Sequence, residues 1–182
     1  KNGNIIELDY YVYKEVFSYI RKRLDEGKKV VPISMNVSRI HLENDDIIKY
    51  ILKLFDDYKI PPEYVEFELT ENIYMNNMAN AKKFLDFCKK IGVFVSMDDF
   101  GSGYANLNTV MRLPFSTIKI DRSLLFDICS DKKREMFYQS IVETFRKMNY
   151  HLVSEGVETK EEMEKISSWG VDMIQGYYFS RP

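Results

Sequence analysis

Cysteine, histidine and net positive charge are all in short supply, and each scarcity closes off a class of function. Cys88 and Cys129 are the two cysteines. So few and so far apart, they form neither a metal knuckle nor a disulfide framework, and they read as reduced thiols of a cytosolic protein. His41 and His151 make no ligand pair; the first sits among helix-entry residues, the second starts a strand, and both read as structural. The formal net charge of −2 gives no sign of the basic stripe that a DNA or RNA polymer would require. No apolar run approaches the roughly 20 residues that cross a bilayer, and no signal peptide is visible. The chain opens Lys1-Asn2-Gly3-Asn4 rather than with Met, so a targeting segment can lie outside it. A cytoplasmic domain with no membrane contact of its own is expected, tethered, if at all, through other domains.

What is present is ordinary for a globular chain: 182 residues, 45% hydrophobic and 30% charged, one domain's worth of sequence with a substantial core. Short β-rich runs alternate with longer amphipathic ones, with no low-complexity linker between them. A helix over about Asp9 to Glu26 comes first. The strand Val30 to Asn36 follows, then a helix from Asp45 to Tyr58 with Ile47, Ile48, Ile51, Leu52 and Phe55 at period 3.6. Strand Tyr64 to Thr70 leads to helix Asn76 to Ile91. Strand Val93 to Asp98 runs into a Gly-rich turn and a short helical stretch, Asn106 to Arg112. Strand Thr117 to Asp121, helix Lys132 to Asn149, strand His151 to Glu155, helix Lys160 to Trp169 and a last strand around Met173 to Gly176 complete the pattern. Repeated strand–helix units imply a parallel sheet with crossovers, which an open doubly wound sheet and a closed barrel both satisfy.

Side-chain parity separates the two. Val31, Ile33 and Met35 share one face of the first strand and Ser34 and Asn36 the other; Val65, Phe67 and Leu69 oppose Glu66, Glu68 and Thr70. Val93, Val95 and Met97 oppose Phe94, Ser96 and Asp98, while Ile118 and Ile120 oppose Thr117, Lys119 and Asp121. A sheet covered by helices on both faces would read as continuous apolar runs. Here one face is apolar and the other turns polar toward each C-terminal end, so a TIM-like (β/α) barrel is expected, with the polar face inward. Active sites of such barrels lie at the C-terminal strand ends. Those ends carry Asn36, Glu68, Asp98 with Asp99, Lys119 with Asp121, Glu155 and Gln175. Any one of these alone is as well explained by a helix cap or a turn; six strands in succession are not. A full eight-unit barrel takes about 250 residues, so about six units imply an incomplete barrel.

Four or more carboxylates converging in one pocket repel one another, and divalent cations remove that penalty. Hard oxygen donors suit Mg²⁺ or Mn²⁺. Asp98 and Asp99 would ordinarily face opposite ways, but Gly101 and Gly103 allow a sharp turn that aims both at the pocket. One carboxylate could then serve two metals, as in phosphoryl displacements. Lys119, inward on its strand, needs acidic neighbours; it is suited to orient or deprotonate a water or to balance a phosphate's charge, or it serves simply as a counter-ion.

These stretches resemble the EAL-domain family, whose members hydrolyse cyclic di-GMP to the linear dinucleotide. The matching segments are Asn36-Val37-Ser38, Glu68-Leu69-Thr70-Glu71-Asn72, Asp98-Asp99-Phe100-Gly101-Ser102-Gly103-Tyr104, Lys119-Ile120-Asp121-Arg122-Ser123, Glu155-Gly156-Val157-Glu158-Thr159 and Gln175-Gly176-Tyr177-Tyr178-Phe179-Ser180-Arg181-Pro182, in family order along the whole chain. The resemblance implies a two-metal site that activates water. Asn36, Glu68 and Asp98 would hold the first Mg²⁺ or Mn²⁺, and Asp98, Asp99 and Glu155 the second. Lys119, Glu155 and Asp99 would be the catalytic groups. Glu71 would steady the loop after Asp98; Glu158 and Gln175 would complete the pocket, and Asp121 would touch substrate. It also implies a homodimer, paired through barrel helices such as Lys132 to Asn149, and fusion to sensor or GGDEF-type domains.

The chain departs from the family in several places. The Glu-Ala-Leu motif and its metal-binding glutamate do not occur in residues 1–182, and neither does the closing helix beyond Pro182. The expectation is a single barrel domain over 1–182 whose first strand and helix and last helix lie outside it. Ser102 stands where threonine is usual, and Ala105-Asn106 where a serine pair is usual. Two alternatives remain at this level. A non-catalytic cyclic-di-GMP receptor would ordinarily have lost several acidic ligands. A metal-dependent lyase or aldolase would use Lys119 as a base or Schiff-base nucleophile.

Overall fold

Apolar side chains at alternate positions of each short strand need a cover, and amphipathic helices supply it. The computed structural model describes residues 3–43, 46–70, 78–103 and 107–181. Its elements run α1 (Gly3–Asp25), β1 (Ile33–Asn36), a 3₁₀ turn (Arg39–Glu43), α2 (Asp46–Tyr58), a 3₁₀ turn (Pro62–Tyr64) and β2 (Val65–Thr70). After these come α3 (Met78–Ile91), β3 (Phe94–Phe100), α4 (Leu107–Arg112), β4 (Thr117–Ile120), a 3₁₀ turn (Arg122–Leu124), α5 (Lys132–Lys147), β5 (His151–Ser154), α6 (Lys160–Ser168) and β6 (Met173–Ile174).

The six strands form one sheet in the order β1-β2-β3-β4-β5-β6, and every neighbouring pair is parallel. A doubly wound sheet reverses its strand order at a switch point. This one never reverses, so each crossover advances the same way and the helices gather on one face. The result is the arc of a (β/α) barrel, as the parity of the strands predicts, and an incomplete one, as the count of about six units predicts.

The helix-facing side is dry. Val65, Phe67 and Leu69 of β2, Ile118 and Ile120 of β4, and Leu152 of β5 are buried. Helix α1 packs Tyr13, Phe17 and Ile20 against this layer, a spacing of four and three residues that keeps one stripe inward. The Tyr13 ring meets Phe67 edge-on at 5.6 Å, and Phe67 in turn meets Phe84 of α3 at 5.7 Å. Lys22 and Arg23 in the last turn of α1 complement the helix dipole.

Element boundaries differ from expectation in instructive ways. Helix α1 begins at Gly3, well before Asp9; Ile5 and Leu8 in its first turns are exposed. Strand β1 begins at Ile33, so Val31, expected on the helix-facing side, precedes the ladder and is 61% exposed. Strand β3 continues through Asp98 and Asp99 to Phe100. Phe94, on the inward face, is 44% exposed. The residues expected to start the helices at Asn76 and Asn106 lie outside the described residues.

His41 has the structural role expected of it. It is 2% exposed, its Nε2 lies 2.9 Å from Asp9 Oδ2, and its ring packs 5.1 Å from that of Tyr10. Burial outweighs the Asp9 carboxylate and holds the imidazole below its ordinary pKa. The unfolded chain therefore binds a proton, near pH 6.5, before the folded one does. The stabilising contribution of neutral His41 is complete above about pH 6.5 and is lost as the pH falls toward the lower folded value. Denaturant unfolding between pH 7 and 5 is expected to show wild-type stability falling more steeply than that of His41→Gln, by up to about 1.4 kcal/mol per pH unit. Parallel slopes would contradict it.

Candidate active site

Strand register lines up the ionisable residues. Asn36 pairs with Glu68, Thr70 with Asp98, and Lys119 with Val153, two residues before Glu155. Alternation then brings Glu68, Lys119 and Glu155 to the inner face together, near the C-terminal ends of β2, β4 and β5.

Lys119 is the centre of the arrangement. It is 7% exposed, and its ammonium lies 2.9 Å from Glu68 Oε1, 2.9 Å from Asp98 Oδ1 and 2.7 Å from Glu155 Oε1. Three donors meet three carboxylates, which uses the full hydrogen-bonding capacity of the group. Burial works against the charge, yet the hydrogen bonds that Lys119 donates to Glu155 and Asp98, with the surrounding negative field, win, and its pKa is raised. Lys119 is thus a firmly held cation, shaped to orient and neutralise. Acceptance of a proton by its nitrogen, one of the roles read from sequence, is disfavoured by this geometry.

Asp98 and Asp99 both enter the cluster, and the cause differs from the predicted glycine turn. The β3–β4 register shifts between Met97 and Phe100, and Asp99 itself adopts φ +58°. Aspartate tolerates this left-handed conformation better than most residues. The bulge cancels the alternation that would have sent Asp99 outward. Asp98, Asp99 and Glu155 consequently each offer a carboxylate oxygen, all within 4.8 Å of one another.

The charge balance is uneven. Among the described residues, Glu68, Asp98, Asp99 and Glu155 face a single ammonium. Burial, first, and the neighbouring carboxylates, second, raise the pKa of Asp99; for Glu155 burial outweighs the opposing pull of Lys119. The site needs more positive charge than the described residues supply, and its donors are hard oxygens. Both features fit a divalent cation of the Mg²⁺ or Mn²⁺ kind.

The remaining predicted residues occupy the rim. Asn36 is exposed at the end of β1, its carbonyl accepting from the Tyr13 hydroxyl at 2.8 Å. Asp121 caps the following turn, accepting from Ser123 N at 2.9 Å, and is close enough to help raise the pKa of Asp99. Gln175 is fixed by its backbone, donating to the Ser154 carbonyl at 2.8 Å and accepting from Val157 N at 3.1 Å. Glu158 pairs with Arg122 at 2.8 Å, away from the carboxylate cluster. Glu71 lies outside the described residues. Sequence reading assigns Arg122 no role; its signal was an arginine directly after a strand end in the stretch that carries Lys119 and Asp121. Below the cluster a cavity of about 1010 Å³ opens from Glu68 and Lys119 down to Phe94 and His151.

Comparison with known proteins fits this geometry. The profile of one family, described as the EAL domain, matches residues 1–182. The chain is 29% identical over 181 residues to "Cyclic di-GMP phosphodiesterase NbdA" of Pseudomonas aeruginosa, covering 100% of this chain and 23% of that protein. It is 30% identical over 182 residues to "Signaling protein YkoW" of Bacillus subtilis, again spanning 23% of the relative's length. Among solved structures, "PaMucR Phosphodiesterase, c-di-GMP complex" superimposes with a TM-score of 0.89 at 29% identity, covering 100% of this chain and 74% of that one.

Loss of the central cation would leave buried carboxylates facing one another. Lys119→Ala is expected to destabilise the metal-free protein by about 3 kcal/mol, a fall in Tm of about 6–12 °C for a chain of this size. Differential scanning calorimetry reads this directly; a change under 2 °C would count against the central role of the ion cluster.

Proposed function

Because the chain belongs to the EAL-domain family, we propose that it is a metal-dependent phosphodiesterase that hydrolyses cyclic di-GMP to linear pGpG in bacterial second-messenger signalling. The observation that carries this reading is the mutual approach of Asp98, Asp99 and Glu155 around Lys119 at the strand ends. Two divalent cations, held by Asn36, Glu68, Asp98, Asp99 and Glu155, would supply the positive charge that lets an anionic diester enter an acidic pocket and would lower the pKa of a water.

The chain's own residues do the rest. Lys119, as a fixed ammonium, orients the attacking water and offsets charge building on the phosphoryl oxygens. Glu155, with its raised pKa, is suited to take the proton released as the water oxygen bonds to phosphorus. The bond from phosphorus to the sugar 3′ oxygen breaks as that oxygen takes a proton from solvent, to which Glu155 returns the one it accepted, giving a 3′ hydroxyl and a 5′ phosphate. Asp99 completes the acidic set beside Asp98. Asp121 would touch substrate, Glu158 and Gln175 would complete the pocket, and Glu71 would steady the loop after Asp98.

Residues 1–182 are read as one barrel domain of a longer polypeptide that carries sensor or GGDEF-type domains. No helix among the described residues is long and apolar enough to cross a membrane. A homodimer would draw on the exposed side chains of Phe126, Met136 and Phe137 at and before α5. The receptor alternative calls for loss of acidic ligands, and Glu68, Asp98, Asp99 and Glu155 are all retained.

The test is turnover of cyclic di-GMP by the complete protein with Mg²⁺ or Mn²⁺, followed by chromatography of the product. Linear pGpG is expected, and Asp98→Ala or Lys119→Ala is expected to lower kcat/KM by about 10³-fold or more. No linear product at micromolar enzyme, or full activity in the Asp98→Ala, Lys119→Ala double variant, would refute the assignment.

A further inference from the structure

The two strand ends that bring Asp98–Asp99 and Glu155 together are not adjacent. Strand β4 lies between β3 and β5, and the turn that leaves β4 reaches both. On one side, Asp121 N donates to the Phe100 carbonyl at 3.0 Å, and Ser123 Oγ donates to the Gly101 carbonyl at 3.1 Å. Leu124 fills the place where a side chain on Gly101 would stand. On the other side, the aliphatic stem of Arg122 lies over Gly156, where an added Cβ would sit 2.5 Å from Arg122 Cβ. Beyond that stem the guanidinium pairs with Glu158 at 2.8 Å.

Both glycines have left-handed φ values, +98° for Gly101 and +70° for Gly156, so each loop turns where the intervening turn needs room. Leu125 and Ile128, just beyond it, are buried in the core. The turn is therefore anchored at its base and braced on both flanks, with Asp99 two residues before Gly101 and Glu155 one residue before Gly156.

We infer that the turn Asp121–Leu124 is a strut that sets the separation of the Asp98–Asp99 and Glu155 carboxylates, with Arg122 and Ser123 as positioning residues. Arg122 holds the loop after β5 through the Glu158 pair and the stem over Gly156. Ser123 holds the loop after β3 through the Gly101 carbonyl. Neither side chain reaches the carboxylate cluster; they act through the backbone that carries it. The inference rests on the phosphodiesterase reading only for the use made of the cations, not for the bracing.

Arg122 is well exposed, so the ion pair adds little to global stability, whereas loss of groups that orient metal ligands typically weakens metal affinity 10–100-fold. That contrast is the test. Arg122→Ala, Ser123→Ala and Arg122→Lys are compared with wild type in the complete protein by calorimetric Mn²⁺ titration, thermal unfolding and hydrogen exchange of the metal-free form. Arg122→Ala is expected to speed exchange over Glu155–Glu158, and Ser123→Ala over Asp98–Gly103. Each is expected to weaken Mn²⁺ binding about tenfold while Tm stays within about 3 °C. Arg122→Lys, which keeps stem and charge, is expected to bind within about threefold of wild type.

Unchanged exchange and affinity in both alanine variants would overturn the strut. So would an affinity loss that merely follows a loss of Tm, or a lysine variant no better than alanine. A wild type that binds Mn²⁺ but cleaves no cyclic dinucleotide would overturn the phosphodiesterase reading and leave the strut standing. Should the wild type bind no Mn²⁺, the exchange rates of the metal-free protein decide the strut alone.

Discussion

A single buried ammonium holds the open end of this barrel together. Lys119 meets Glu68, Asp98 and Glu155 at 2.9, 2.9 and 2.7 Å, and so ties the ends of β2, β3 and β5 to β4. Each ion has surrendered most of its hydration, a cost of several kcal/mol apiece that only close, fully hydrogen-bonded pairing offsets. The same arrangement leaves an excess of negative charge. Stability and function thus pull in opposite directions at one point: the ammonium makes the carboxylate ring tolerable without metal, and the surplus of carboxylate makes it receptive to metal.

The rest of the fold serves that point. Aromatic contacts running from Tyr13 through Phe67 to Phe84 stiffen the outer layer behind β2. Tyr138 of α5 donates to Ser154 Oγ at 2.7 Å, pinning β5 immediately before Glu155. The Tyr13 hydroxyl does the same for the Asn36 carbonyl on β1. Buried polar contacts of this kind fix direction as well as position, because a misplaced donor in the interior costs more than a misplaced methyl. The site is consequently set by rigid strand ends, while the connecting turns supply the fine separation between them.

Much of this could be read in advance because a strand has a period of two. Once Val65, Phe67 and Leu69 face the helices, Glu66 and Glu68 must face the other way, and the same reasoning aims Lys119 inward. Two places defeated it. At Val31 the alternation extends upstream of Ile33, where the ladder has not yet begun. Asp99 joins Asp98 and Glu155 for a reason other than a glycine turn: the strand does not end before it, and a bulge with Asp99 at φ +58° turns it inward. Local sequence signals a bulge poorly, because the extra residue is forced by the register of the neighbouring strand rather than by its own preference.

The sequence by itself determined which residues occur at strand ends, in what order, and with what charge; periodicity and motif order are properties of the chain alone. Only the tertiary structure decided which of them touch. Lys119 has three carboxylate partners because β2, β3, β4 and β5 are neighbours in one parallel register, and Glu158 turns to Arg122 because the loops after β4 and β5 leave side by side. Those contacts join residues 21 to 51 positions apart, or across a loop, and no local pattern encodes a distance of that kind. It follows from packing, and packing is what gives a string of acidic residues one shared cavity.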